Sequence, residues 1–208
     1  MKKSFFLKLI DKIGTNTLFD LDRASKVDKS LSKDALKEEM SRLAEKGIVL
    51  RISNGIYLIQ EGQIDIQEYQ YQSIFYRYIG NENDVYGFLG EDSFIRSLQN
   101  KKLPKKGITI ITNKATSGKK TINLFNYKVI LKKPFKKIDK NNADLLCFLT
   151  YISQTDVEEI IENRAILASF LKERKFATSE TLITLNSFPN KTAKKIIVSG
   201  LYKYLLKH

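Results

Sequence analysis

The chain has 208 residues, enough for one large domain or two small ones and for a sizeable core; with 42% hydrophobic and 11% aromatic residues, wholesale disorder is excluded. The lone Cys147 excludes an internal disulfide, and the lone His208, at the carboxyl end, excludes histidine triads and most zinc sites. A net charge of +13 suits a polyanion or an acidic protein surface as partner. No apolar run approaches the length of a membrane span. Phe5-Phe6-Leu7 follows Met1-Lys2-Lys3, but Lys8, Asp11 and Lys12 interrupt it, unlike a secretory leader. A soluble cytoplasmic protein with no cofactor is expected, with Cys147 as a buried thiol in the apolar run 145–149.

In chain order, residues 3–13 read as a helix ended by Gly14, and a second short helix is expected near 22–26. Ser32 is a good N-cap, because its hydroxyl can accept from an unpaired amide of the first turn. Leu36, Met40 and Leu43 follow at helical spacing, and Gly47 suits a left-handed stop. Asn54-Gly55 between β-branched runs predicts a type I′ hairpin, in which both residues take positive φ. Three helices and a hairpin over residues 1–60 form a winged helix-turn-helix pattern for binding double-stranded DNA. The same order occurs in domains that never meet nucleic acid. The placement of polar groups favours DNA: Lys33, Lys37 and Ser41 lie opposite the apolar stripe near Ser32, and Arg51, Ser53 and Asn54 lie at the wing tip. Glu38 and Glu39 argue against a purely electrostatic interface and belong on a flank.

Residues 60–63 have linker character, and 61–208 read as a second, α+β domain. The aromatic-rich stretch 67–79 predicts a helix packing on that second domain, followed by a short strand or turn over 84–89 and a helix over 91–98. Strands are expected at 108–112, 122–125 and 127–132 in a small, mainly antiparallel sheet. In the last of these, Lys128, Ile130 and Lys132 share one face and Tyr127, Val129 and Leu131 the other. Helices follow over 143–152, 156–172, 179–185 and 190–206. The fold class is therefore α+β, a winged helix followed by a larger domain with C-terminal helices over 142–206.

The charge is uneven. Residues 1–60 carry +4, residues 61–100 carry −5, and residues 101–140 carry thirteen lysines against one acid, Asp139. The strip comprises Lys101, Lys102, Lys105, Lys106, Lys114, Lys119, Lys120, Lys128, Lys132, Lys133, Lys136 and Lys137, with Lys140 beyond. Lysine without arginine suits backbone contact sensitive to salt, not bidentate recognition. Taken singly, the pairs read as a solvated face; their confinement to one region with a single acid weighs a binding surface equally with that solvated face, and DNA, RNA and protein all stay open as its partner. An enzyme reading rests on Asp84, Glu91, Asp92 and Lys114, a loose match to a metal-dependent nuclease. Thr112 stands where an acid is expected, and Ser117-Gly118-Lys119 lacks the rest of a phosphate loop, so catalysis and metal binding are not expected.

Three stretches carry a family likeness: Leu43-Ala44-Glu45-Lys46-Gly47-Ile48-Val49-Leu50-Arg51-Ile52-Ser53-Asn54-Gly55-Ile56-Tyr57; Tyr86-Gly87-Phe88-Leu89-Gly90-Glu91-Asp92-Ser93; and Ile108-Thr109-Ile110-Ile111-Thr112-Asn113-Lys114 with the basic hairpin to Lys132-Lys133-Pro134. In this order the chain resembles the AbiEi family, the antitoxins of bacterial type IV toxin–antitoxin (abortive infection) systems. The resemblance implies a DNA-binding domain joined to an antitoxin domain, repression of its own operon, and action against a nucleotidyltransferase-like toxin without a stable complex. A stand-alone winged-helix regulator is the alternative.

Overall fold

A computed structural model describes residues 4–81, 83–174 and 176–206. The expected helix start at Lys3, the Met1-Lys2-Lys3 segment and His208 lie outside the described residues. The chain is α+β and divides into two compact units, Met1–Arg77 and Tyr78–His208.

The first unit begins with α1 (Phe5–Ile13), whose Leu7 amide donates to Ser4 Oγ and whose end is marked by Gly14 at φ 85°. Strand β1 (Leu18–Asp20) runs into α2 (Leu21–Ser25), where the Arg23 amide donates to the Asp20 carboxylate at 2.8 Å. Helix α3 (Lys33–Glu45) starts at Ser32, whose hydroxyl accepts from the Ala35 amide at 3.2 Å, and its stripe of Leu36, Met40 and Leu43 is buried. Gly47, at φ 67°, turns the chain toward β2 (Leu50–Ser53) and β3 (Ile56–Leu58).

These strands form a sheet of order β1-β3-β2, antiparallel throughout, with Phe19 opposite Tyr57. Strand β1 was expected only as a lead-in to a helix. Three residues are too few to show an alternating pattern, and its strand character comes from pairing with β3.

The hairpin differs from the symmetric turn expected. Gly55 takes φ 74° while Asn54 stays at negative φ, and the ladder slips between Arg51 and Ser53. A bulge there adds local twist and re-aims the tip.

Helix α4 (Ile66–Tyr78) was expected to pack on the second domain and instead belongs to the first unit. Tyr76 is buried with Leu18, Ile52, Ile56 and Leu58, and Tyr69 packs against the same cluster. The outer side of the small sheet is apolar and needs a cover, and α4 is the nearest one in the chain. The first unit therefore runs to Arg77 rather than ending at residue 60.

The second unit holds β4 (Gly87–Leu89), α5 (Glu91–Leu98), β5 (Lys106–Thr112), β6 (Lys119–Leu124) and β7 (Tyr127–Lys132). The sheet order is β4-β5-β7-β6. Its outer pairs are antiparallel, but the central pair, β5 with β7, is parallel. The run from Ile108 to Ile111 is buried throughout, as a strand covered on both faces requires. Gly87 is obligatory beside it, because a Cβ there would lie 2.1 Å from the Tyr78 carbonyl oxygen.

Helix α6 (Ala143–Gln154) buries nine residues and is flanked by α7 (Val157–Glu162), α8 (Arg164–Arg174), α9 (Thr178–Leu185), α10 (Asn190–Val198) and α11 (Tyr202–Leu205). Two helices expected as continuous are broken. Asn163 separates α7 from α8 and turns its amide onto the Glu159 carbonyl at 3.0 Å, a local bond that competes with helix continuation. Gly200, at φ 72°, separates α10 from α11. Met40 is fully buried, so Met40→Ala should lower unfolding free energy by about 2–5 kcal/mol. Urea denaturation followed by circular dichroism checks this, since the chain has no tryptophan.

Candidate nucleic-acid interface

Helix α3 leaves Lys33, Lys37 and Ser41 exposed, four residues apart along one flank of its buried stripe, while Asp34, Glu38 and Glu45 lie opposite the stripe. Lys37 pairs with Asp34 at 3.1 Å, with the two side chains 53% and 89% exposed. A pair so exposed contributes little, so Lys37 can exchange Asp34 for a stronger anion. Ser41 donates to Glu45 at 3.3 Å, and Ser32 is engaged as the cap. Arg42 and Glu39 pair at 2.5 Å, which raises the Arg42 pKa through hydrogen bond and charge together. Glu38, Glu39 and Arg42 border a shallow hollow beside Ser4, Phe5 and Leu31, with Glu38 and Arg42 exposed and Glu39 half-buried. With three basic and four acidic side chains, α3 has almost no electrostatic pull of its own.

At the hairpin tip, Arg51 donates to Asn54 Oδ1 at 2.8 Å. Arg77, which sequence reasoning missed, reaches from α4 to donate to Ser53 Oγ at 3.2 Å and to the Asn54 carbonyl. Tyr69 and Tyr76, seven residues apart, share a face of α4, but Arg77 is turned about 100° from Tyr76, so no periodicity in the sequence pointed to it. Arg51, Ser53 and Asn54 are thus joined in one bonded group with Arg77. Behind α3, Lys8 donates to Asp28 at 2.5 Å, and the Ser30 hydroxyl and amide donate to its other oxygen at 2.6 and 3.1 Å. These bonds, Lys8 first, hold the Asp28 carboxyl well below the usual carboxylate range.

The lysine strip of the second unit divides. Lys106 pairs in register with Lys128, whose amide donates to the Lys105 carbonyl, so Lys105, Lys106 and Lys128 gather at one end of the sheet. Lys119 is opposite Lys132, with Lys120 and Lys133 adjacent, at the other end. Lys101 and Lys102 lie in the exposed loop after α5, and Lys136 and Lys137 in the exposed segment after β7. On β7 the alternation holds: Tyr127, Val129 and Leu131 are buried while Lys128 is exposed. Lys119 and Lys120 also serve the fold, since lysines on edge strand β6 discourage pairing with another chain. Lys132 is ion-paired with Glu91, and Lys114 sits 3.8 Å over the Tyr86 ring.

Glu91 and Asp92 border a cleft of about 370 Å³ with Asp156 and Glu159, whereas Asp84 and Lys114 do not line it. Glu91 takes φ 51° and accepts from Thr109 Oγ1 at 3.2 Å. Tyr151 donates to Glu159 at 3.0 Å; burial, then that bond and charge, push the phenol well above its ordinary range. Among the described residues no group of three or more His, Cys, Asp or Glu side chains has metal-holding geometry. No helix among them is long and apolar enough to cross a membrane. Comparison with known proteins found no matching family model and no matching curated protein.

Cys147 is buried, and its thiol donates to the Leu89 carbonyl at 3.2 Å. Burial first, and the Asp144 charge second, push its pKa well above the ordinary thiol value. A thiol so placed is inert, so iodoacetamide should label the native protein negligibly and the urea-unfolded protein fully. For Asp28, the folded carboxyl titrates below its ordinary value of 3.8. Its contribution is present above that pH and fades as pH falls through the lower folded value. Asp28→Asn should therefore lower the melting temperature at neutral pH, with the deficit shrinking on acidification; melting curves across pH 2–7 test the sign, on the order of the range in which carboxylates titrate.

Proposed function

We propose that the protein is a DNA-binding antitoxin that represses its own operon and counteracts a nucleotidyltransferase-like toxin. The observation that carries the DNA-binding part is the arrangement of the first unit. Helices α1, α2 and α3 precede the β2–β3 hairpin, β1 closes the small sheet, and α3 leaves Lys33, Lys37 and Ser41 outward. That order is similar to a winged helix-turn-helix, in which the recognition helix enters the major groove and the hairpin meets the flanking backbone, and this supports the reading. In this reading α3 and the Arg51–Asn54 tip set register, and Arg77 holds the tip in shape. With α3 nearly neutral, the lysines of the second unit supply the sequence-independent part of the affinity. The toxin-directed part rests on the resemblance to the AbiEi family.

Fluorescence anisotropy on the promoter duplex tests the first part. Lys33→Ala, Lys37→Ala and Arg51→Ala should each weaken binding, and loss of a phosphate contact should reduce the slope of log affinity against log salt by about 1. Arg77→Ala should weaken it through the tip while leaving the salt slope close to the parent's. Co-expression with the toxin encoded beside the gene tests the second part: Lys33→Ala and Arg51→Ala should still rescue growth. Rescue lost on truncation of the first unit, with DNA binding intact, would sink the assignment. The stand-alone regulator is favoured by one observation, that the groups read here as DNA-contacting lie in the first unit and need no toxin. Promoter binding without rescue would select it.

A further inference from the structure

We infer that the cleft between β7, the segment after it and α6 seats an unpaired nucleobase, with the adjoining phosphates on Lys133 and Lys136. This site is separate from the α3 surface and does not depend on the reading given for it.

The cleft measures about 180 Å³, below the 300–1,000 Å³ range of whole-ligand pockets. That is room for one flat group, with the sugar and phosphates left outside. Its floor is apolar, made by Phe88, Ile111 and Leu146, all buried. One wall is Phe135, which is 58% exposed yet held edge-to-face on Phe188 at 4.6 Å. An exposed aromatic ring fixed beside an apolar floor is a stacking platform, and any base has a face to offer it. Thr150 and Gln154, four residues apart on α6, bring a hydroxyl and a carboxamide to the same cleft for the polar edge of a base.

The charge at the rim selects the ligand further. Lys132, Lys133 and Lys136 border the opening. Lys132 is held by Glu91, while Lys133 and Lys136 make no ion pair among the described residues. The segment carrying them is fixed before any ligand arrives. The Lys133 amide donates to the Gly118 carbonyl, and the Asn113 side chain exchanges two bonds with Ile138, at 2.7 and 3.0 Å. Asn142 donates to the Lys137 carbonyl at 3.0 Å. Preorganisation of this kind reduces the ordering cost of binding. The neighbouring cleft of Asp92, Asp156 and Glu159 repels phosphate, so the backbone of the ligand must leave by way of Lys133 and Lys136. An aromatic group carrying phosphate describes a nucleotide, free or within a single strand.

The test uses the full-length protein, a short fluorescein-labelled single-stranded oligodeoxynucleotide, and unlabelled AMP as competitor. The single strand should bind; competition by AMP identifies a free nucleotide as the source, and its absence identifies the strand. Phe135→Leu keeps apolar bulk but removes the ring, and should weaken binding about tenfold, with Phe135→Tyr restoring it. Lys133→Gln and Lys136→Gln should weaken binding and flatten its salt dependence. Phe135→Leu should leave promoter-duplex binding unchanged, which separates this site from the α3 surface. Retained single-strand affinity in Phe135→Leu, with a parent-like melting temperature, overturns the proposal, as does failure of the parent to bind either probe.

Discussion

Helix α6 is apolar around most of its circumference, and a helix of that kind must be enclosed. Nine of its twelve residues are buried, from Ala143 to Ile152. The face of the sheet carrying Phe88 and Ile111 covers one side, and α5, α8 and α10 contribute to the same core. Phe94 ties this enclosure together, meeting Tyr151 at 5.7 Å and Phe170 at 5.2 Å. Thr150, buried near the end of that run, and the exposed Gln154 fall at the edge of the core, where a cleft opens.

Charge and shape are divided between the two units. The first has apolar packing that presents a near-neutral helix and a bonded hairpin tip; the second carries most of the positive charge on strands and loops. Within the strip, electrostatics are tempered locally. Lys132 answers Glu91, Lys114 lies over Tyr86, and Lys119 and Lys120 occupy an edge strand. Twelve lysines in one stretch of chain are not one uniform surface. Those beside the apolar cleft, Lys133 and Lys136, have a different chemical setting from those at the far end of the sheet, Lys105, Lys106 and Lys128.

Much of the local structure was legible in residues with strong local preferences. Ser32 as a cap, Gly14 and Gly47 as stops, the stripe Leu36-Met40-Leu43 and the alternation on β7 all depend on neighbours within a turn or a strand. What was not legible depended on distant partners. Strand β1 exists through β3, and α4 joined the first unit because Leu18, Ile52 and Leu58 left an apolar side uncovered. Arg77 could not be matched to Ser53 and Asn54 without knowing where α4 lies. The turn at Asn54-Gly55 was expected as a turn, but the slip between Arg51 and Ser53 decided its form.

By itself, the sequence determined the type of the longer elements, the α+β class, the confinement of basic charge to residues 101–140 and the burial of Cys147, because composition and short-range periodicity are enough for these. Tertiary structure alone decided the parallel pairing of β5 with β7, the extent of the first unit, and the company each charged side chain keeps. Those depend on which apolar surfaces remain uncovered once local elements have formed. Hydrophobic burial is non-directional, so the choice among possible covers is made only by the whole chain.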